Sequence, residues 1–238
     1  MEPRIQYAKT TDGVSIAYWS IGSGPPIVWM PTIPTTHVER EWDLSPIREA
    51  FETVARTNTL VRYDARGFGL SDPDVTDFSV DAMLRDLEAV TDRLQLDLFQ
   101  IVAFGYAGPA GIAYTARHPE RVSHLVLWHV PAVGSDVGEQ YFDMAPLAMK
   151  DWELFTESWI RATLAWTEGA LPRAGVELMR ASADPARLQA WVEQLRDLDV
   201  RDLLPGVTVP TLVMHRRDNR LAPLDASRRI AAAIPDAQ

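Results

Sequence analysis

The 238-residue chain has no cysteine. Disulfides, thiolate nucleophiles and cysteine-ligated zinc are therefore excluded. It also has no excess of positive charge: 23 Lys and Arg face 33 Asp and Glu, for a net charge of -10. Such a surface repels phosphate backbones and anionic lipid, so nucleic acid and membranes are not expected partners. No apolar run approaches the roughly 18 residues that span a bilayer. Met1-Glu2-Pro3-Arg4 leads straight into a strand pattern and does not resemble a secretory leader. These absences together point to a cytoplasmic protein. What is present is a hydrophobic content of 47%, enough for the core of one α/β domain with an insertion.

Strand and helix patterns alternate along the first half. Ile5–Lys9 and Val14–Ser20 flank Thr11-Asp12-Gly13 and read as a hairpin. Apolar runs at Pro25–Met30, Thr59–Asp64, Leu98–Phe104 and Val122–Trp128 read as buried strands. Helical spacing runs through Trp42–Arg56, Val80–Leu94 and Tyr106–His118. Ser79 or Asp81 supplies a start signal for the second of these. The fold class is therefore α/β, with a mostly parallel sheet flanked by helices. From about Asp136 to Arg201 only helical patterns occur, with Trp152, Trp159 and Trp166 at seven-residue intervals. A strand at Val209–Met214 and a helix at Asp225–Ile234 follow. Residues 1–134 then form the first part of a core, 135–203 an inserted helical cap and 204–238 the second part of the core. No internal repeat is present.

Three segments resemble one known family. Tyr63-Asp64-Ala65-Arg66-Gly67-Phe68-Gly69-Leu70-Ser71-Asp72 looks like the D-x-R-G-x-G-x-S turn of the α/β-hydrolase superfamily. Ala116-Arg117-His118-Pro119-Glu120-Arg121-Val122 is similar to the family's helix end, and Pro210–Asp218 to the strand that leads to its catalytic acid. Val61-Arg62-Tyr63-Asp64, Gly108-Pro109 and His215-Arg216-Arg217 most resemble hydrolase-like domains joined to nucleotide cyclase or transcription-regulator modules. The resemblance implies a nucleophile elbow, G-x-S-x-G, at Ala103-Phe104-Gly105-Tyr106-Ala107. The serine position is held by Gly105, and a register shift of two makes it Ala107, so neither register supplies an attacking side chain. In that strained turn glycine relaxes the backbone.

The remaining machinery is sparse by the same comparison. The oxyanion hole would use the Tyr106 N–H and the loop Pro31-Thr32-Ile33-Pro34-Thr35-Thr36-His37. Thr32 stands where the family often has glycine, and Pro34 has no N–H. Asp218 occupies the acid position. The family's base follows a last strand that lies beyond Gln238, so the resemblance implies a missing C-terminal strand and helix and a fragment of a longer polypeptide. Without that strand, Val209–Met214 is an open sheet edge, a candidate for pairing with a second copy or another part of a longer chain. Arg66 is expected to brace its loop and Asp64 to cap its own turn. His118 and His124 are read as structural.

Trp29, Phe104, Tyr106, Trp128, His129 and Met214 fall at predicted strand ends, where parallel sheets place ligand sites. Tyr141, Phe142, Met144, Trp152 and Trp159 add cap aromatics and a methionine. Thr32, His37, Phe104, Tyr106, Trp128, His129 and His215 are the candidate ligand-binding residues for a small apolar molecule. No cofactor is implied. No metal is expected either, because His129, His215 and Asp218 lack ligand spacing. The leading expectation is a catalytically degenerate domain that binds such a molecule or a partner, as a sensory or regulatory module. The alternative is a family enzyme, a water-attacking hydrolase, a lyase or an isomerase, acting on a small apolar substrate without a serine nucleophile and relying on His129, His215, His37 or Asp218. A bare scaffold is the third reading.

Overall fold

The computed structural model describes residues 2–163, 170–216 and 223–238. Strands β1 (Gln6–Lys9) and β2 (Ser15–Gly22) form the expected hairpin. They are followed by β3 (Pro26–Trp29), β4 (Thr59–Tyr63), β5 (Phe99–Phe104), β6 (Val122–Trp128) and β7 (Thr211–Met214). The sheet order is β1-β2-β4-β3-β5-β6-β7. β1 and β2, and β2 and β4, pair antiparallel; every other pair is parallel. Leu60, Val61, Ile101, Leu125 and Leu127 on the central strands are fully buried, as continuous apolar runs in a parallel sheet demand.

Side chains cap the first N–H groups of only some helices, and proline sets the start of others. α1 (Arg40–Asp43) and α2 (Ser45–Ala55) replace the single helix expected over Trp42–Arg56. Pro46 lacks an N–H and is tolerated only in a first turn, so the helix must restart there. α3 (Val80–Arg93) begins at Ser79, whose hydroxyl accepts from the Ala82 N–H. α4 (Gly108–Arg117) follows a single 3₁₀ turn, Gly105–Ala107. Between β6 and β7 lie α5 (Glu139–Lys150), α6 (Trp152–Thr163), α7 (Ala170–Ser182) and α8 (Pro185–Gln194). α9 (Leu224–Ala233) closes the described chain. Trp159 and Trp191 are buried between these helices and the core, whereas Trp166 lies outside the described residues. The outer side of β7 is not bare: Gln238 donates to the Thr211 carbonyl (3.0 Å) and accepts from the Val213 N–H (2.8 Å).

Buried polar groups fix the loops at the carboxyl ends of the strands. Arg62 pairs with Glu41 (2.5 Å) and donates to the carbonyls of Trp29 (2.6 Å) and Met30 (2.7 Å). Arg66 braces its loop as expected, through Asp86 (2.8 Å) and Asp12 (2.8 Å). Asp64 does more than cap its own turn. It accepts from Leu70 N–H (2.9 Å), Thr36 hydroxyl (2.7 Å) and Val38 N–H (3.0 Å). Gly69 packs against that carboxylate with φ +55°, and a Cβ there would stand 2.2 Å from Asp64 Oδ2. Gly69→Ala is therefore expected to destabilise the fold by about 3 kcal/mol or more, through strain and a displaced buried carboxylate. Gly105→Ala, at φ +57° with no atom within 4 Å of the new Cβ, should cost only about 1 kcal/mol. Urea denaturation measures both, and equal losses would contradict this account of the Asp64 loops.

Candidate functional site

β5 ends in an extended Phe104, and the next residue, Gly105, turns the chain into the left-handed region at φ +57°. The chain then enters α4. Tyr106 follows the turn, and its N–H is among the first of the helical segment, where no intrahelical acceptor exists. A side chain at Gly105 would project into open space. That space belongs to a cavity of about 210 Å³ beneath the cap. Its floor carries Phe104, Gly105, Tyr106 and His129, and its wall on the β3 side carries Thr32, Pro34 and Thr35. The cap contributes Tyr141, Trp159, Ile160 and Leu178. The lining is mainly apolar with a few polar groups, as in sites for small organic molecules.

His129 follows β6, also at positive φ (57°). Its ring meets the His215 ring edge-on at 4.4 Å and contacts Phe104 at 5.7 Å. The Arg216 N–H points at it, 3.3 Å from Nε2. Burial, then His215 and Arg216, hold its pKa down at about 4 against an ordinary 6.5. The imidazole is therefore neutral at pH 7. Tyr106 and Tyr141 are hydrogen-bonded to each other, and burial raises both phenols above their usual range. Asp136, at the cavity edge, is engaged: it accepts from Ala132 N–H (2.9 Å) and from Arg229 of α9. Among the described residues no cluster of three or more acidic or histidine side chains could hold a metal ion.

The candidate residues separate cleanly. Thr32, Phe104, Tyr106 and His129 line the cavity. Trp128 lies instead with Trp29 in an adjoining pocket, which Phe104 also borders. His37 points away from the cavity: its Nδ1 accepts from the Arg40 N–H (3.3 Å) at the start of α1. The ring of His215 turns to α9, with Nδ1 2.8 Å from the Ser227 hydroxyl. Asp218 lies outside the described residues. In the cap, Phe142 is stacked under Arg196 (4.1 Å), Trp152 on Phe155 (5.6 Å), and neither they nor Met144 line the cavity. Ile160, Gly175 and Leu178 do, and no motif marked them.

The sequence profile of the α/β hydrolase fold matches residues 25–173. The chain belongs to this family. Relatives span most of it. An AB hydrolase superfamily protein of Bacillus subtilis is 26% identical over 98% of this chain and 88% of its own length. The 2-hydroxy-6-oxo-2,4-heptadienoate hydrolase of Pseudomonas putida is 28% identical over 95% of this chain and 83% of its own. An esterase from Exiguobacterium antarcticum superposes with a TM-score of 0.84 at 21% identity, covering 98% of this chain and 88% of that one. This likeness shows the same fold. Among the described residues no helix is long and apolar enough to cross a membrane.

The low pKa of His129 has a consequence for stability. Between about 4 and 6.5 the unfolded chain holds the proton and the folded chain does not. Stability from this group is full above 6.5 and is lost as pH falls toward 4, by up to about 3 kcal/mol. His129→Asn, which tolerates the left-handed backbone, should flatten that slope in urea denaturation across the window. An unchanged slope would place a charged or exposed ring at 129.

Proposed function

We propose that the cavity receives a small, largely apolar carbonyl compound, and that the protein hydrolyses it without forming an ester at residue 105. One observation carries this reading. Gly105 leaves open the space where an attacking side chain would stand, and the neutral His129 ring lines the same cavity. In this reading a water molecule takes that space and adds its oxygen to the carbonyl carbon. Its proton passes to His129, and the Tyr106 N–H holds the developing oxyanion. Collapse of the tetrahedral adduct returns the proton to the leaving group. The relatives support the substrate class: one is named for a small oxo acid and its hydrolysis.

A second reading, binding without turnover, is favoured by Gly105 itself and by Pro34, which puts no N–H on the facing wall. In that case the cavity serves as the sensory part of a regulatory protein.

A panel of p-nitrophenyl acetate, butyrate and benzoate separates the two. The hydrolytic reading expects slow turnover that falls about 10²-fold in His129→Asn, with no acylated protein by intact mass spectrometry. No turnover, together with a thermal shift from acetophenone that His129→Asn leaves in place, would establish binding alone. Accumulation of an acyl-protein would overturn both.

A further inference from the structure

The cap is fastened to the core unevenly. On the α8 side, Arg187 donates to the Gly67 carbonyl (2.9 Å). Gln194 donates to the Thr76 carbonyl and accepts from the Phe78 N–H, both at 2.8 Å. At the base of the cap, Gly134 N–H bonds the Leu198 carbonyl and Val200 N–H the Ala132 carbonyl, both at 2.8 Å. Arg216 reaches the Thr163 carbonyl (2.8 Å), and the Gly69 N–H the Ser182 carbonyl (2.9 Å) at the end of α7. The opposite side differs. Among the described residues, no hydrogen bond or ion pair joins the rest of α7 to α1 or α2.

What lies across that seam is apolar. Leu44, in the extended break between α1 and α2, and Leu178, on α7, both line the cavity. Both also line a surface groove of about 430 Å³ on the far side. Arg40 and Asp43 edge the groove on the core, Glu177 and Arg180 on the cap. Arg180 is bonded within the cap, to the Thr156 hydroxyl (2.9 Å) and the Glu153 carbonyl (3.1 Å) of α6. Among the described residues, α7 is thus tied to α6 through Arg180 and to the core by a hydrogen bond only at its last residue, Ser182. Charged side chains keep water at the outer edge of the seam. Among the described residues, opening the seam between Leu44 and Leu178 breaks no hydrogen bond, whereas opening the α8 side breaks several.

We propose that this seam is the entrance to the cavity, and that Leu44 and Leu178 are its gate. They then set the bulk of the molecule admitted, while the cavity floor sets its chemistry. The proposal rests on the cavity being a small-molecule site.

Stopped-flow fluorescence with 6-acetyl-2-dimethylaminonaphthalene, a neutral polarity-sensitive ketone, tests it. Leu178→Ala should speed association and dissociation together, and Leu178→Trp should slow both, by at least about fivefold. Because Leu178 also lines the cavity, its variants shift the equilibrium constant as well, and the mark of a gate is that both rates move in the same direction. A purely structural role would lower the melting temperature and leave the rates unlinked. Because the chain has no cysteine, a second variant is clean. Arg40→Cys with Glu177→Cys, joined by a short bis-maleimide, should slow both rates while leaving the cavity lining intact. If the dye does not bind the wild type, the small-molecule reading fails and the gate with it. If it binds with rates untouched by every variant, the gate alone is wrong.

Discussion

The buried carboxylate of Asp64 is the point from which the cavity wall hangs. It sits directly after β4, fully enclosed, and gathers the Thr36 hydroxyl and the N–H groups of Val38 and Leu70. Two loops far apart in sequence are thereby held to one strand end. Burial, with Glu41 nearby, lifts its pKa to about 7, while the three donors pull the other way. Beside it the Arg62–Glu41 pair ties α1 to the same strand and to the carbonyls that lead into the Thr32–Thr35 wall. Removing one member of such a buried pair costs about 3–5 kcal/mol, because the other charge is left without a partner. The wall is therefore held from behind by fixed polar bonds, and its cavity face is free to be apolar.

On that rigid frame the chemistry of the site is set by two left-handed residues at neighbouring strand ends. Gly105 and His129 share φ +57°. Glycine adopts this conformation freely; histidine does so at a cost that packing must hold. At Gly105 the turn keeps its shape and presents no side chain, which leaves room over the Tyr106 N–H. At His129 the turn brings a neutral ring to the cavity. A site of this kind can polarise a carbonyl or simply hold one, and its covalent options at residue 105 are nil. Tyr141 and Trp159, whose ring centroids lie 3.6 Å apart, give the cavity an aromatic wall.

Much of this was legible in the residues. Periodicity located every sheet strand and the core helices, because buried parallel strands require continuous apolar runs. The D-x-R-G turn announced the bracing by Arg66, although its partners Asp12 and Asp86 lie 54 and 20 residues away, beyond any local pattern. Phe104, Tyr106 and His129 could be placed because strand ends in parallel sheets converge. His37, His215 and Trp128 could not. A loop residue carries no facing signal, and the last residue of a strand can close a neighbouring pocket instead, as Trp128 does. Leu44 and Leu178 were silent for a different reason. Their role comes from what does not bond across a seam, and no motif encodes an absence of contacts between helices.

The central claim is that a small carbonyl compound sits over the bare turn at Gly105, beneath the cap. A crystal structure of the protein soaked with acetophenone tests it most directly. The account predicts the carbonyl oxygen at the Tyr106 N–H and the phenyl ring among Tyr141, Trp159 and Ile160. Acetophenone bound elsewhere, with the cavity empty, would contradict it.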